Sequence, residues 1–497
     1  MLSRVLGLVR ELIFAWRFGT GPALDAYRVA LSIPDTIFAL ISGGGIGAAF
    51  IPVFTRLRNS GKQDDAWRMA AGIVALVGVA VAFLGLLAWV FAPQLVRDVL
   101  GARAENEETK RLATGLLRVL MIQPVFLALA SVMTAILQAH DRFGLPAIAP
   151  VIYNLWIILG AVLLSPFVGI YGVAVGVVIG SMFFLGIQVP AAVRLGLRLP
   201  ASTPLRDPNV RRTFGLLAPR IVGQAAAHVN TMVAAALALS LGTGRAASYG
   251  YASVLFVLPV GLFGTSVATA AFPALSREAG EKDLSNFVYL LRRSLRAMLF
   301  FIVPASVGLL MLRQPVIALL YERGQFTAED VLLVAEPLFY FCLGMWAYAV
   351  VDILPRAFYA LQDTRTPVAI AVGAVILDIA LSFILIQFMG LGGLALAFSI
   401  ALTVQVFALL YALHSKIGFN VDRETQSFLL RTAVATGLML AALWLARPLL
   451  AGYQDLSLVS LALRVAATTV GGFAVYVLAS VALRQEEVGT LARMVRR

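Results

Sequence analysis

Charged side chains are scarce in this chain: Asp, Glu, Lys and Arg make up 13% of its 497 residues, against 60% hydrophobic ones. With a mean hydropathy of +0.90, that balance excludes an ordinary soluble globular domain and points to an integral membrane protein. Cysteine is nearly absent. Cys342, alone inside an apolar run, excludes a disulfide framework and a thiolate metal cluster. Histidine is almost as rare, and His140, His228 and His414 are too scattered for a zinc site. Nucleotide signatures are missing as well: there is no P-loop, and the run SGGGIG at 42–47 lies within an apolar segment, where it is no evidence for phosphate binding. No cleavable leader is expected, because the N-terminus lacks a short apolar core ending at small residues; the first helix begins at once.

The charge that is present is mostly basic, 39 Lys and Arg against 26 Asp and Glu, a net +13. No soluble basic domain carries it, so nucleic acid is not an expected partner; the arginines fall between apolar segments, as the positive-inside rule describes. A bilayer core about 30 Å thick needs about 20 apolar residues per helix. On that basis the chain reads as an all-α polytopic membrane protein with about fourteen spans, near 2–20, 25–55, 70–98, 112–139, 146–166, 168–193, 213–240, 246–275, 294–312, 331–361, 366–388, 391–414, 428–450 and 457–483. Loops after even-numbered spans are basic, for example Arg56, Arg58, Lys62 and Arg68, or Arg277, Lys282, Arg292, Arg293 and Arg296. The opposite loops SPFVG and FMGLGG carry no base. Both termini are therefore expected in the cytoplasm, and the tail RMVRR at 493–497 agrees.

An internal repeat organises these spans. GTG at 19–21 recurs at 242–244, AAFIPVFTR at 48–56 pairs with AAFPALSRE at 270–278, and AILQAHDRFGLPAIAP at 135–150 pairs with AFYALQDTRTPVAIA at 357–371. GIYGVAVG at 169–176 matches GLGGLALA at 390–397, all at a spacing of 221–225 residues. Six spans separate equivalent positions, so both copies share one orientation. The expected architecture is two parallel six-helix lobes, 1–195 and 213–415, joined by a cytoplasmic linker at 196–212 and followed by two further helices within 428–484. Repeats of this kind place a substrate site between lobes that rock, which makes a transporter the default reading.

The ordered set SRVLGLVRE, FGTG, DAYRVALSIP, GGGIGAAFIPVF, AILQAHDRFGLPAIAPVIYNL and FYALQDTRTPV resembles the MurJ (MviN) family of the multidrug/oligosaccharidyl-lipid/polysaccharide exporter superfamily, over essentially the whole chain. The resemblance implies a flippase, not an enzyme, that moves lipid II, the undecaprenyl-diphosphate-linked peptidoglycan precursor, across the bacterial inner membrane. It also implies lobes around a cationic cavity and a groove at spans 13 and 14 for the lipid tail. The expected partners are lipid II and membrane lipids, and the chain is expected to act as a monomer.

Ionisable groups inside spans are costly and so are candidates for function. In span 1, Arg4 and Arg10 lie about 9 Å apart along the axis, and arginine offers charged, bidentate donors suited to a diphosphate. The resemblance gives both that role, with Glu11 beside them. Arg4 near the N-terminus could instead snorkel to headgroups, and Arg10 with Glu11 could be a structural ion pair. In span 2, the resemblance makes Asp25 a transport residue; alternatives are a pair with Arg28, three residues on, or a helix-entry role. Two positions where the family carries further cavity arginines are Phe38 and Val254 here; Arg28, Arg118, Arg220 and Arg356 are the candidates to compensate. No cofactor is expected. The family's sodium site suggests Asn230, Asp378 and Thr403 for a Na+ or H+ coupling ion, although Ala234 stands where a carboxylate is expected. Competing readings are export of another polyprenyl-diphosphate saccharide, multidrug export, which would want an acidic cavity, and a membrane transferase, which would want clustered carboxylates. Glu336, Asp352 and Asp378 are dispersed along the chain.

Overall fold

The computed structural model describes residues 2–42, 46–100, 106–197 and 207–489. The glycines at 43–45, most of the expected linker (198–206) and the basic tail at 493–497 lie outside the described residues. The described chain is helical with no strand. Among the described residues, ten helices, including Gln63–Val90, Ser285–Tyr321 and Leu458–Ala482, are long and apolar enough to cross a membrane. The segments beyond these ten are also helical: Leu2–Phe18 (α1), Pro22–Ser42 (α2), Ile46–Asn59 (α3) and Pro208–Leu239 are shorter or more polar. Arg365–Ile417, counted once among the ten, is broken at Gly390.

Burial is arranged for lipid. On Gln63–Val90 (α4) the large exposed residues Val79, Phe83, Leu86 and Trp89 recur every three or four positions, a stripe of apolar side chains pointing out of the protein. The opposite face carries the small buried residues Ala66, Ala70, Ile73 and Val77.

By packing, the chain forms two compact units, one of Met1–Ala247 with Arg323–Phe326, the other of Ser248–Glu322 with Thr327–Arg497. This division follows the proximity of the backbone in space, whereas the sequence repeat divides the chain by internal similarity. Helix Pro208–Leu239, first of the expected second lobe, packs with α2 in the first unit.

Within the first unit, α4 is followed by Glu107–Leu120 (α5), Gln123–Ala139 (α6), Gly144–Leu159 (α7), Tyr171–Gly186 (α8) and Pro208–Leu239 (α9), whose first turn is capped by the Asp207 carboxylate (Asn209 N–H to Oδ1, 2.8 Å). The crossing of α7 and α8 is nearly backbone to backbone: a Cβ added at Gly176 would sit 2.7 Å from the Trp156 carbonyl oxygen. Glycine is what permits that approach.

The second unit holds most of Arg245–Pro259 (α10), then Thr265–Glu278 (α11), Ser285–Tyr321 (α12), Ala328–Ala360 (α13), Arg365–Ile417 (α14), Arg423–Leu445 (α15) and Leu458–Ala482 (α16). A capping box of Thr327 and Asp330 starts α13. The core is aromatic, with Phe256, Phe341 and Phe398 in mutual contact. The two additional C-terminal helices dock on α12: the Tyr476 hydroxyl donates to the Phe300 carbonyl at 2.8 Å, Arg292 pairs with Asp422 at 2.9 Å, and Arg296 pairs with Glu424.

Backbone geometry reproduces the repeat. Asp141 (φ 58°) and Gln362 (φ 61°), left-handed although neither is glycine, stand 221 residues apart, as do Gly169 (φ 59°) and Gly390 (φ 54°). At the first pair the chain leaves a helix in the same way twice. The Arg142 N–H bonds the Leu137 carbonyl and the Asp363 N–H bonds the Phe358 carbonyl, each the six-to-one bond of a Schellman motif.

Candidate functional site

The charges of α1 and α2 meet inside the first unit. Glu11 is 1% exposed and its carboxylate is shared: Oε1 accepts from Arg10 Nη2 at 2.9 Å, and Oε2 accepts from Arg28 Nη2. Arg10 and Glu11 point about 100° apart around α1, and the long Arg10 side chain spans that angle to reach the carboxylate, while α2 brings Arg28 to the other carboxylate oxygen. Arg10 Nη1 also donates to Asn154 Oδ1 on α7 at 3.4 Å, and its guanidinium lies 5.8 Å from the centre of the Phe14 ring. Phe14 in turn meets Tyr27 edge-on at 5.7 Å. Asn154 is held by its own helix, Nδ2 donating to the Pro150 carbonyl at 2.9 Å.

Two cations share one anion in a buried setting, and the carboxylates of Asp25 and Asp35 lie near enough to act on Arg28 and Arg10. Among the described residues, Arg10 Nε is buried with no hydrogen-bond partner, and an unmade buried bond of this kind costs about 1–3 kcal/mol. The cluster is therefore suited to accept an anion of fixed geometry: guanidinium donors match phosphate oxygens and stay charged at any pH of interest.

The other expected residues are placed as follows. Arg4 is exposed near the start of α1. Asp25 is fully buried, and its carboxylate accepts from the backbone N–H groups of Gly244 and Ala247, the latter at 2.7 Å. It thus caps the first turn of α10 from a distant part of the sequence, a role different from the pairing with Arg28 that their spacing suggested; Arg28 turns to Glu11. Asp35 takes a hydrogen bond from Gln123 Nε2 at 3.2 Å. Among the candidate compensating arginines, Arg118 is exposed and stacks on Trp89 at 5.2 Å, and Arg356 pairs with Asp352 at 2.9 Å; the Arg220 side chain lies outside the described residues.

Of the coupling-ion candidates, Asn230 is half-buried on α9 in the first unit, whereas Asp378 and Thr403 belong to the second. Asp378 is buried and accepts from Ser382 Oγ at 3.4 Å; Thr403 donates to the Ser399 carbonyl at 2.8 Å. Among the described residues there is no group of three or more His, Cys, Asp or Glu placed to hold a metal ion. Asn154 and Gln123 were missed in the sequence. A lone amide in an apolar run, as in VIYNLWIIL, is the signal that could have found the first.

A family model described as lipid II flippase MurJ matches residues 14–490. The chain belongs to the MurJ family. Among its relatives, the probable lipid II flippase MurJ of Vibrio cholerae is 30% identical over 455 residues, covering 89% of this chain and 86% of the relative. The lipid II flippase MurJ of Thermosipho africanus is 30% identical, covering 82% of each chain. A solved lipid II flippase MurJ in an inward closed conformation superposes with a TM-score of 0.82 at 27% identity over 97% of both chains. A multidrug resistance MATE family transporter of the MOP superfamily, in an inward-facing conformation, shares the fold at a TM-score of 0.68 and 14% identity, over 84% of this chain and 94% of that one. Membership of the MurJ family makes the chain a multi-pass transporter-family membrane protein. The family match includes Asp25 and Arg28 but starts after Arg4, Arg10 and Glu11, so those three stand on the structure's geometry.

Proposed function

We propose that this chain flips lipid II from the cytoplasmic to the outer leaflet of the bacterial inner membrane, supplying cell-wall synthesis. The buried Arg10–Glu11–Arg28 cluster is the observation that carries the reading to a mechanism. In the inward-open state, Arg10 and Arg4 hold the diphosphate. Glu11 shares its carboxylate between Arg10 and Arg28 and gives up part of its hold on Arg10 as phosphate oxygens arrive. Asp25 is a positioning residue at the head of α10. Lobes 1–195 and 213–415, joined through 196–212, rock about the site with both termini in the cytoplasm, and the helices within 428–484 receive the lipid tail. Asp378 and Thr403, with Asn230, are the groups for a coupling Na+ or H+. The chain works as a monomer among membrane lipids.

The likeness to the MATE fold favours a second reading, a multidrug exporter. Such an exporter of cationic drugs needs an acidic site, and this cluster has an excess of guanidinium. The test is complementation of a MurJ-depleted bacterium, together with lipid II binding by the purified protein titrated against other undecaprenyl diphosphates. Arg10→Ala is expected to abolish both at normal protein level; full rescue by that variant refutes the role of Arg10. Equal affinity for every polyprenyl diphosphate leaves only the broader exporter assignment.

A further inference from the structure

A second polar site lies apart from the arginine cluster, wholly within the second unit. An open cavity of about 310 Å³ is lined by Arg313 and Gln314 of α12 and by Leu332, Glu336, Phe339 and Tyr340 of α13. That is the small end of the range for ligand pockets, about 300–1,000 Å³. Helices α12 and α13 have 37 and 33 residues, roughly 55 and 50 Å at 1.5 Å per residue. A hydrocarbon core of about 30 Å leaves each helix about 10 Å of overhang at either end. Arg313 is eight residues before Tyr321 and Glu336 eight after Ala328, each about 12 Å from its helix end. The cavity is therefore at the depth where hydrocarbon gives way to lipid headgroups.

Its walls are chemically two-sided. Arg313 Nη1 is anchored on the Leu310 carbonyl at 2.7 Å and the guanidinium lies 5.2 Å from the Phe339 ring centre, which aims the fork and leaves further N–H donors to the cavity. Glu336 is held by the Gly392 N–H at 3.0 Å. The Gln314 amide and the Tyr340 hydroxyl belong to side chains that line the same cavity. Leu332, 53% exposed, forms an apolar rim. A lone anion meets the Glu336 carboxylate here and a lone cation meets Arg313. A group with a phosphate and an ammonium a few bonds apart satisfies both.

We propose that this cavity binds the headgroup of a zwitterionic phospholipid of the phosphatidylethanolamine type, phosphate on Arg313, ammonium on Glu336, with Gln314 and Tyr340 completing the hydrogen bonds and the acyl chains leaving past Leu332. The site is a lipid-recognition site separate from the transported substrate, since its volume excludes a muropeptide. Native mass spectrometry of the full-length protein tests it, with phosphatidylethanolamine, phosphatidylcholine and phosphatidylglycerol each added at matched acyl composition, and with soluble phosphoethanolamine as competitor. Phosphatidylethanolamine is expected to be retained most. Arg313→Gln is expected to weaken its retention about tenfold, as loss of a charge-assisted bond does. Glu336→Gln is expected to erase the preference over phosphatidylglycerol. Because Glu336 also holds Gly392, Gln314→Ala provides a variant that leaves that bond alone and is expected to weaken retention too. Equal retention of phosphatidylethanolamine and phosphatidylglycerol by the unaltered protein overturns the proposal, as does wild-type retention by Arg313→Gln. Capture of phosphoethanolamine without displacement of the lipid assigns the cavity to a soluble zwitterion and overturns the lipid assignment.

Discussion

Replacing Glu11 by Gln keeps the shape of the side chain and removes the one negative charge shared by Arg10 and Arg28. Glu11 is 1% exposed and the two arginine side chains are 26% and 18% exposed, so water cannot readily take the carboxylate's place. Removing one partner of a buried ion pair costs about 3–5 kcal/mol, because the remaining charge is left uncompensated. Here two guanidinium groups are left, which puts the expected loss at the upper end. Arg28→Gln is expected to cost less, since Glu11 keeps Arg10. In the double variant Arg28 no longer needs a counterion, so the two losses are expected to fall short of their sum by about 1–3 kcal/mol. The assay is a double-mutant cycle on thermal unfolding of the purified protein in one detergent at one protein concentration, with lipid II binding measured alongside. Binding by Glu11→Gln is expected to be as tight as wild type or tighter, because the carboxylate no longer competes with phosphate for Arg10. Strict additivity of the stability changes, or loss of binding in Glu11→Gln with stability unchanged, refutes the shared-carboxylate reasoning.

Three further outcomes are expected. Asp25→Ala removes the acceptor for two backbone N–H groups at the head of α10 and is expected to cost about 1–2 kcal/mol in melting experiments, as loss of a helix cap does, with Asp25→Asn retaining most of that; indistinguishable melting of Asp25→Ala and wild type contradicts the cap. Asp363, in the turn between α13 and α14, has burial pushing its carboxyl up, but hydrogen bonds from Lys416 Nζ (2.6 Å) and from the Thr366 N–H and hydroxyl outweigh it and hold the group at about 2, below the ordinary 3.8. A depressed acid contributes stability that is complete above the unfolded value and is lost as pH falls through the folded one, so melting temperature is expected to drop between pH 4 and pH 2, and less steeply in Asp363→Asn. Gly176→Val puts a branched side chain where even a Cβ lies 2.7 Å from the Trp156 carbonyl, and overpacking of this kind costs about 1–3 kcal/mol or more; wild-type melting of that variant refutes the close α7–α8 crossing.

Much of the fold was legible because a lipid solvent imposes a simple rule on sequence. Long apolar runs must be helices, since only a helix satisfies its own backbone bonds in hydrocarbon. The repeat was legible in motifs such as AILQAHDRFGLP and AFYALQDTRTP, and the paired left-handed residues Asp141 and Gln362 show that the similarity is also one of backbone geometry. The site was only partly legible. Arg10 and Glu11 announced themselves as charges in an apolar helix, and the structure buries Glu11 between Arg10 and Arg28. Asp25 and Arg28 looked like partners because they lie three residues apart. The pairing failed because Asp25 is opposite the open N–H groups of Gly244 and Ala247, more than two hundred residues away. Asn154 went unnoticed because a single amide has no pattern.

The amino-acid sequence by itself determined the membrane class, the helical architecture, the tandem similarity of the two halves and the family, for these follow from hydropathy, charge bias and ordered motifs that each act over a short stretch of chain. Only the tertiary structure decided that Glu11 is shared between Arg10 and Arg28, that Asp25 caps a helix instead of joining them, and that Arg313 and Glu336 face one cavity. The physical reason is that a buried charge takes whichever partner the packing brings within about 3 Å, and which helices pack together is a property of the whole chain.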